Sequence, residues 1–204
     1  MSLTYRPDQL GDRAVDWPSR RRRTTHGILM DFVVDEVTTP QGTTMVRNYL
    51  EHPMAVGVIA LDEQDRVAIE VQYRHPVRAK LVEAPAGLRD QPGETALATA
   101  QRELAEEVGL AASDWRILID IYSSPGSSSQ STRLFLARGL TAVARPAGFE
   151  LEAEEADMAV GWAKLDDLVA AVFAGRLMNP TIVSGTMALW TARQGGYLDA
   201  LRPG

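Results

Sequence analysis

The chain contains no cysteine. That absence excludes disulfides, thiolate metal sites and cysteine nucleophiles together. Histidine is scarce, with only His26, His52 and His75, so hydrolytic or transfer chemistry would rest on carboxylates working with a metal. No apolar run approaches the ~18 residues needed to cross a bilayer, and no signal-peptide pattern opens the chain. The expectation is a cytoplasmic protein without membrane contact. A broad basic face is missing too. Lys and Arg number 21 against 27 Asp and Glu, a net charge of -6, which argues against a nucleic-acid partner. The run Arg20-Arg21-Arg22-Arg23 is the exception, and it reads as a solvated stretch before a strand.

What is present fits a folded domain. The 204 residues are 45% apolar and 24% charged, enough for one domain of ordinary size with or without a small appendage. Residues 1–26 are polar, arginine-rich and weakly patterned. "GILMDFVVDEV" (27–37) reads as a strand, "TTPQGTT" as a turn and "MVRNYLEH" as its hairpin partner. "MAVGVIALD" and "RVAIEVQYR" flank the turn "DEQD" and suggest a second antiparallel pair. "KLVEAPAG" is a short strand ending at a Pro/Gly kink. A helix is expected over about Thr95 to Val108, with Thr95 as N-cap and Gly109 as a left-handed stop. Its Leu97, Ala100, Leu104 and Val108 form one apolar stripe. "WRILIDIY", "TRLFLARGL" and "MAVGWAKL" are further strands. Two helices close the chain: Asp166 to about Ala174, stopped by Gly175, and one beginning at Asn179-Pro180. This order predicts an α+β fold with a mixed sheet rather than a regular βαβ series.

The central helix ends in "RELAEEVGL" (102–110). At about 100° per residue, Glu107 lies about 40° from Glu103 and Glu106 about 60° to the other side. Three carboxylates thus share one arc near a helix C-terminus, where like charges repel and the macrodipole opposes them. A solvated acidic face is one reading. A divalent cation, which reverses both terms and takes only one or two carboxylates plus waters and phosphates, is the other.

The surroundings favour the second. Gly87 to Leu110, "GLRDQPGETALATAQRELAEEVGL", resembles the Nudix box, G-x5-E-x7-R-E-U-x-E-E-x-G-U with U aliphatic. Glu94, Arg102, Glu103, Leu104, Glu106, Glu107, Gly109 and Leu110 match the fixed places. The one departure is six residues instead of five between Gly87 and Glu94, in the loop before the helix. The resemblance implies an α/β/α sandwich that hydrolyses a nucleoside diphosphate linked to a group X, with Mg²⁺ or Mn²⁺. It implies Glu103 and Glu107 as direct metal ligands and Glu106 as a further or water-mediated one. The carbonyl of Ala86 would complete the site, and Arg102 would orient Glu94 or Glu83 behind it.

Features outside the box resemble the ADP-ribose pyrophosphatase branch. "QYRHPV" (72–77) followed by "LVEAPAG" implies Arg74 as a contact to the diphosphate or terminal ribose, and Glu83 as a further substrate-site residue that supports the site. Pro125 stands at the branch's distance after Gly109. "EEADMAVGW" (154–162) implies Glu155, with Glu154 second, as general base or ligand of the attacking water. The branch dimerises through N-terminal β-segments, so residues 1–52 are expected to be a dimerisation element and 53–204 the hydrolase domain. Arg47 is then a candidate cross-subunit contact. Where relatives carry acids after the proline-glycine, this chain has "PGSSSQS", which reads as a flexible polar lid. The expected activity is hydrolysis of ADP-ribose to AMP and ribose 5-phosphate by a homodimer. A nucleotide-sugar or other nucleoside diphosphate-X pyrophosphatase, and a non-catalytic ADP-ribose sensor, are the alternatives.

Overall fold

A computed structural model describes residues 10–145 and 157–204. The chain divides into two compact units, one up to Glu51 and one over His52–Gly204.

The first unit is a three-stranded antiparallel sheet of β1 (Ser19–His26), β2 (Asp31–Thr38) and β3 (Thr44–Glu51), in that order. The expected hairpin is β2 with β3, turning at Gly42 with φ +83°. The strand begins at Asp31 and not at residue 27, because Gly27 belongs to a turn closed by its N–H on the Met30 carbonyl. The arginine run corrects the reading more substantially. It lies inside β1, an edge strand, and is not a stretch ahead of one. Arg21 donates to Asp35, Tyr49 and Glu51, while Arg20 and Arg22 pair with Glu36. Cross-strand ion pairs replace apolar alternation as the reason the strand forms, and an edge of arginines resists pairing with a further strand.

The second unit holds the remaining elements: β4 (Ala55–Ala60), β5 (Arg66–Arg74), β6 (Ala79–Glu83), β7 (Ala86–Leu88), α1 (Ala96–Val108), β8 (Leu110–Tyr122), β9 (Ser131–Ala142), β10 (Ala159–Lys164), α2 (Leu165–Phe173), α3 (Pro180–Gln194) and β11 (Arg202–Pro203). A five-stranded sheet runs β11-β8-β9-β4-β7 and a three-stranded sheet runs β10-β5-β6. The expected β4/β5 hairpin does not form as a ladder. Only the bridge between Leu61 and Val67 joins the two strands. β4 runs parallel to β9 instead, from Ala55 beside Thr132 to Ala60 beside Ala137, while β5 crosses to the smaller sheet.

Strand alternation then divides the core in two. Val56, Val58 and Ala60 of β4, with Phe135 and Ala137 of β9, pack against Ala100 and Leu104 of α1. Ile59 and Leu136 face the other way, toward Leu165 and Leu168 of α2 and Ile182 and Leu189 of α3. The result is α+β: helices on both faces of a mixed sheet. Among the described residues no helix is long and apolar enough to cross a membrane.

Candidate active site

The ends of α1 are built as the sequence implies. Thr95 Oγ1 accepts the Ala98 N–H at 3.1 Å. Gly109 adopts φ 66°, ψ 37°, and its N–H reaches the carbonyls of Ala105 and Leu104. The buried stripe faces the sheet, so the opposite flank carries Arg102, Glu103 and Glu106, with Glu107 at its border.

Arg102 is the hub of this flank. Its Nη1 donates to Glu103 at 2.8 Å and to Glu106 at 3.0 Å, while Nε and Nη2 donate to the two oxygens of Glu94 at 3.1 and 3.3 Å. Thr99 Oγ1 adds a donor to Glu94 at 2.9 Å. The bond from Arg102, supported by that from Thr99, outweighs burial and holds the Glu94 carboxyl below its ordinary range. The same bond to Glu94, with the nearby Glu103 and Glu106, raises the guanidinium above its own. Like-charge repulsion on the helix is therefore offset by one arginine serving three acids.

Glu103 and Glu107 meet the strand before the helix. Gly87 lies directly beneath the Glu103 side chain, and a Cβ at residue 87 would occupy the space of its carboxylate. Glu107 is buried, and its Oε2 accepts the Ala86 N–H at 2.9 Å. With six residues between Gly87 and Glu94, Ala86 and Gly87 still lie against the helix acids. Among the described residues no three histidine or carboxylate side chains close into a cation cage. The donor set nonetheless fits a hard divalent cation, which needs only one or two carboxylates and fills its remaining positions with water and phosphate oxygens. Glu103 laid over a bare Cα beside the Ala86 backbone has that chemistry.

Arg74 and Glu83 come together as a forked pair, Nε to Oε1 at 2.9 Å and Nη2 to Oε2 at 2.7 Å. Glu83 is only 1% exposed. The bond to Glu83, against burial and with Glu70 and Glu107 nearby, raises the Arg74 guanidinium above its ordinary value. Glu70 sits across from Glu83 on the neighbouring strand and is fully buried. Sequence reasoning passed over it, although a glutamate inside the β-branched run "VAIEV" was the available signal. It also passed over Arg145, whose Nη2 donates to the Glu107 carbonyl at 2.9 Å.

Other expected residues belong to the first unit or lie outside the described residues. Arg47 belongs to the first unit, where its Nη1 donates to the Val46 carbonyl. Glu154 and Glu155 lie outside the described residues. Beyond them, Asp157 pairs with Lys80 of β6 at 2.6 Å. In the serine-rich loop Ser127 and Ser128 donate their N–H groups to the Ser124 carbonyl, and Ser129 Oγ accepts the His52 N–H at 3.0 Å. Gln130 stands 3.4 Å from His52 Nδ1.

The chain is similar to several known proteins. The NUDIX domain family matches residues 51–180. An ADP-ribose pyrophosphatase of Mycobacterium tuberculosis (strain ATCC 25618 / H37Rv) is 38% identical over 181 residues, covering 88% of this chain and 86% of its own. A methanol dehydrogenase activator of Bacillus methanolicus is 36% identical over 124 residues, 61% of this chain and 66% of that one. An ADP-ribose pyrophosphatase of Bacillus subtilis (strain 168) is 35% identical over 115 residues, 56% and 62% respectively. The crystal structure of an ADP compounds hydrolase shares the fold, with a TM-score of 0.71 over 90% of this chain and 99% of that one at 20% identity. A family match over more than half the chain, a relative aligned along most of its length and a box whose acids meet at one helix end lead to one conclusion: this protein belongs to the NUDIX family, as a hydrolase similar to its ADP-ribose pyrophosphatases.

Proposed function

We propose that the protein hydrolyses the diphosphate of ADP-ribose, giving AMP and ribose 5-phosphate. The observation that carries the reading is the end of α1, where Glu103 lies over Gly87 and Glu107 accepts the Ala86 N–H. The two ADP-ribose pyrophosphatases among its relatives supply the substrate class. Glu103 and Glu107 hold the divalent cation, Mg²⁺ or Mn²⁺, with Glu106 and the Ala86 carbonyl as further donors. When bound, such a cation neutralises diphosphate charge and lowers the pKa of water. Arg102 and Glu94 keep Glu103 and Glu106 in place. Arg74, oriented by Glu83, binds a diphosphate or ribose oxygen. Glu155, or Glu154 beside it, takes the proton of the attacking water. The unit ending at Glu51 serves as the dimerisation element, with Arg47 contacting substrate bound to the partner.

A second reading, a pyrophosphatase for sugar nucleotides or another nucleoside diphosphate-X compound, draws on the neutral loop Ser127–Gln130. Release of AMP from a panel of ADP-ribose, sugar nucleotides and dinucleoside polyphosphates with Mg²⁺ decides between them. ADP-ribose should turn over fastest. A preferred sugar nucleotide would replace the substrate, and tight ADP-ribose binding without turnover of any compound would indicate a sensor. Glu103→Gln should lower kcat at least about 100-fold, the scale seen when one electrostatic stabiliser is removed, and Glu155→Gln should slow it comparably.

A further inference from the structure

The negative pole of α1 raises a problem that the residues of the helix do not solve. Its last turns carry Glu103, Glu106 and Glu107 and no basic residue in the final turn. Arg102 reaches Glu94, Glu103 and Glu106. Glu107 is served differently. Its carboxylate takes the Ala86 N–H, and its backbone carbonyl, one of those a helix end leaves without an internal partner, takes Nη2 of Arg145 at 2.9 Å. Arg145 comes from 38 residues further along. The chain reaches it just past β9, where the Val143 N–H donates to the Gly109 carbonyl and fixes the approach. Glu107 is thereby held at two points, side chain from the strand side and backbone from the far side.

We propose that Arg145 is a positioning residue for Glu107, setting the last turn of α1 at the register in which its carboxylate can serve a divalent cation. This inference rests on the reading of Glu107 as a cation ligand. Two effects of the guanidinium oppose each other. Its charge disfavours a nearby cation, whereas its hydrogen bond fixes a ligand that would otherwise have to be ordered on binding. A residue that orients a ligand governs affinity at short range, and a guanidinium bonded to a backbone carbonyl acts on position first. Removing Arg145 should therefore weaken cation binding, although it removes a positive charge.

The test is Mn²⁺ binding to the full chain without substrate, by electron paramagnetic resonance or calorimetry. Arg145→Met should raise the Kd about 10-fold, the lower end of the effect of orienting partners, and saturating Mn²⁺ should restore most of kcat. Arg145→Lys, which keeps the charge and one donor, should fall between Met and wild type. Unchanged or tighter Mn²⁺ binding by Arg145→Met, with only a lowered Tm, would overturn the proposal. If Arg145→Met does not fold, Arg145→Lys decides alone, and a wild-type Kd for it would overturn the proposal equally. Failure of the wild-type chain to bind Mn²⁺ would instead overturn the cation reading of the helix acids.

Discussion

Gly87 has only a hydrogen where any other residue would set a methyl group against the Glu103 carboxylate. The neighbour is the far end of a flexible side chain, so the fold can yield while the site cannot. Gly87→Ala should leave Tm within a few degrees of wild type and lower kcat by about 100-fold, the cost of misplacing a reacting group by an ångström or so. A thermal melt alongside steady-state kinetics separates the two effects. Arg74 and Glu83 predict the reverse pattern. Glu83 is buried with both oxygens taken by the guanidinium, so Glu83→Ala leaves a cation without its partner. The expected loss is about 1.5–3 kcal/mol of unfolding free energy in urea, the range for a charged hydrogen bond, together with a raised KM. Residue identities of this kind were open to sequence reading wherever the box sets their spacing. Arg145 was not, because its role depends on which backbone a long-range approach brings within 3 Å, and no local pattern encodes that.

At the scale of elements, α1 is the most legible part of the chain. Cap, stripe and left-handed stop all lie within fifteen consecutive residues and point the same way. Thr95→Ala should cost about 1 kcal/mol through the lost cap, measured by denaturant unfolding. β1 was illegible for the opposite reason. Its strand character comes from Asp35, Glu36 and Glu51 on other strands, so nothing within "SRRRRTTH" alternates. β4 was recognised as a strand, but its partner was misassigned. A strand buried on both faces looks the same whether it pairs with a neighbour or with a distant parallel strand. Between β8 and β9, Asp120 accepts a forked bond from Arg133 and is close to Arg202 of β11. The bond from Arg133, against burial, lowers the Asp120 pKa below its ordinary value. A carboxyl lowered on folding contributes stability that is complete above its unfolded pKa of about 3.9 and is lost as pH falls through the folded value. Asp120→Asn should therefore narrow its stability deficit below about pH 4, read from urea midpoints at pH 7 and pH 3.

For the whole molecule, the two units divide the proposed labour, with every described acid of the cation site in the second. β3 presents Val46 and Leu50, 48% and 37% exposed, on one face. With the first unit as dimerisation element, light scattering should give twice the chain mass at micromolar concentration. Val46→Lys with Leu50→Lys should halve it and leave Mn²⁺ binding at the helix acids unchanged. A monomeric wild type would remove dimerisation from the reading. The β2/β3 hairpin was legible, though the sequence reading began its first strand at residue 27 rather than at Asp31. The division of the larger unit into two sheets was not, because it turns on β5 leaving β4 after one bridge.

The parallel pairing of β4 with β9 has a consequence for the order in which the protein is made. Ala55 has to wait for Thr132, so the central sheet cannot close until most of the chain has left the ribosome. The sheet β1-β2-β3 needs nothing beyond Glu51. Local pairings form before distant ones, and domains fold in the order of synthesis. The first unit should therefore be formed while β4, apolar on both faces, still awaits its partner. That interval is when the nascent protein is most exposed to aggregation.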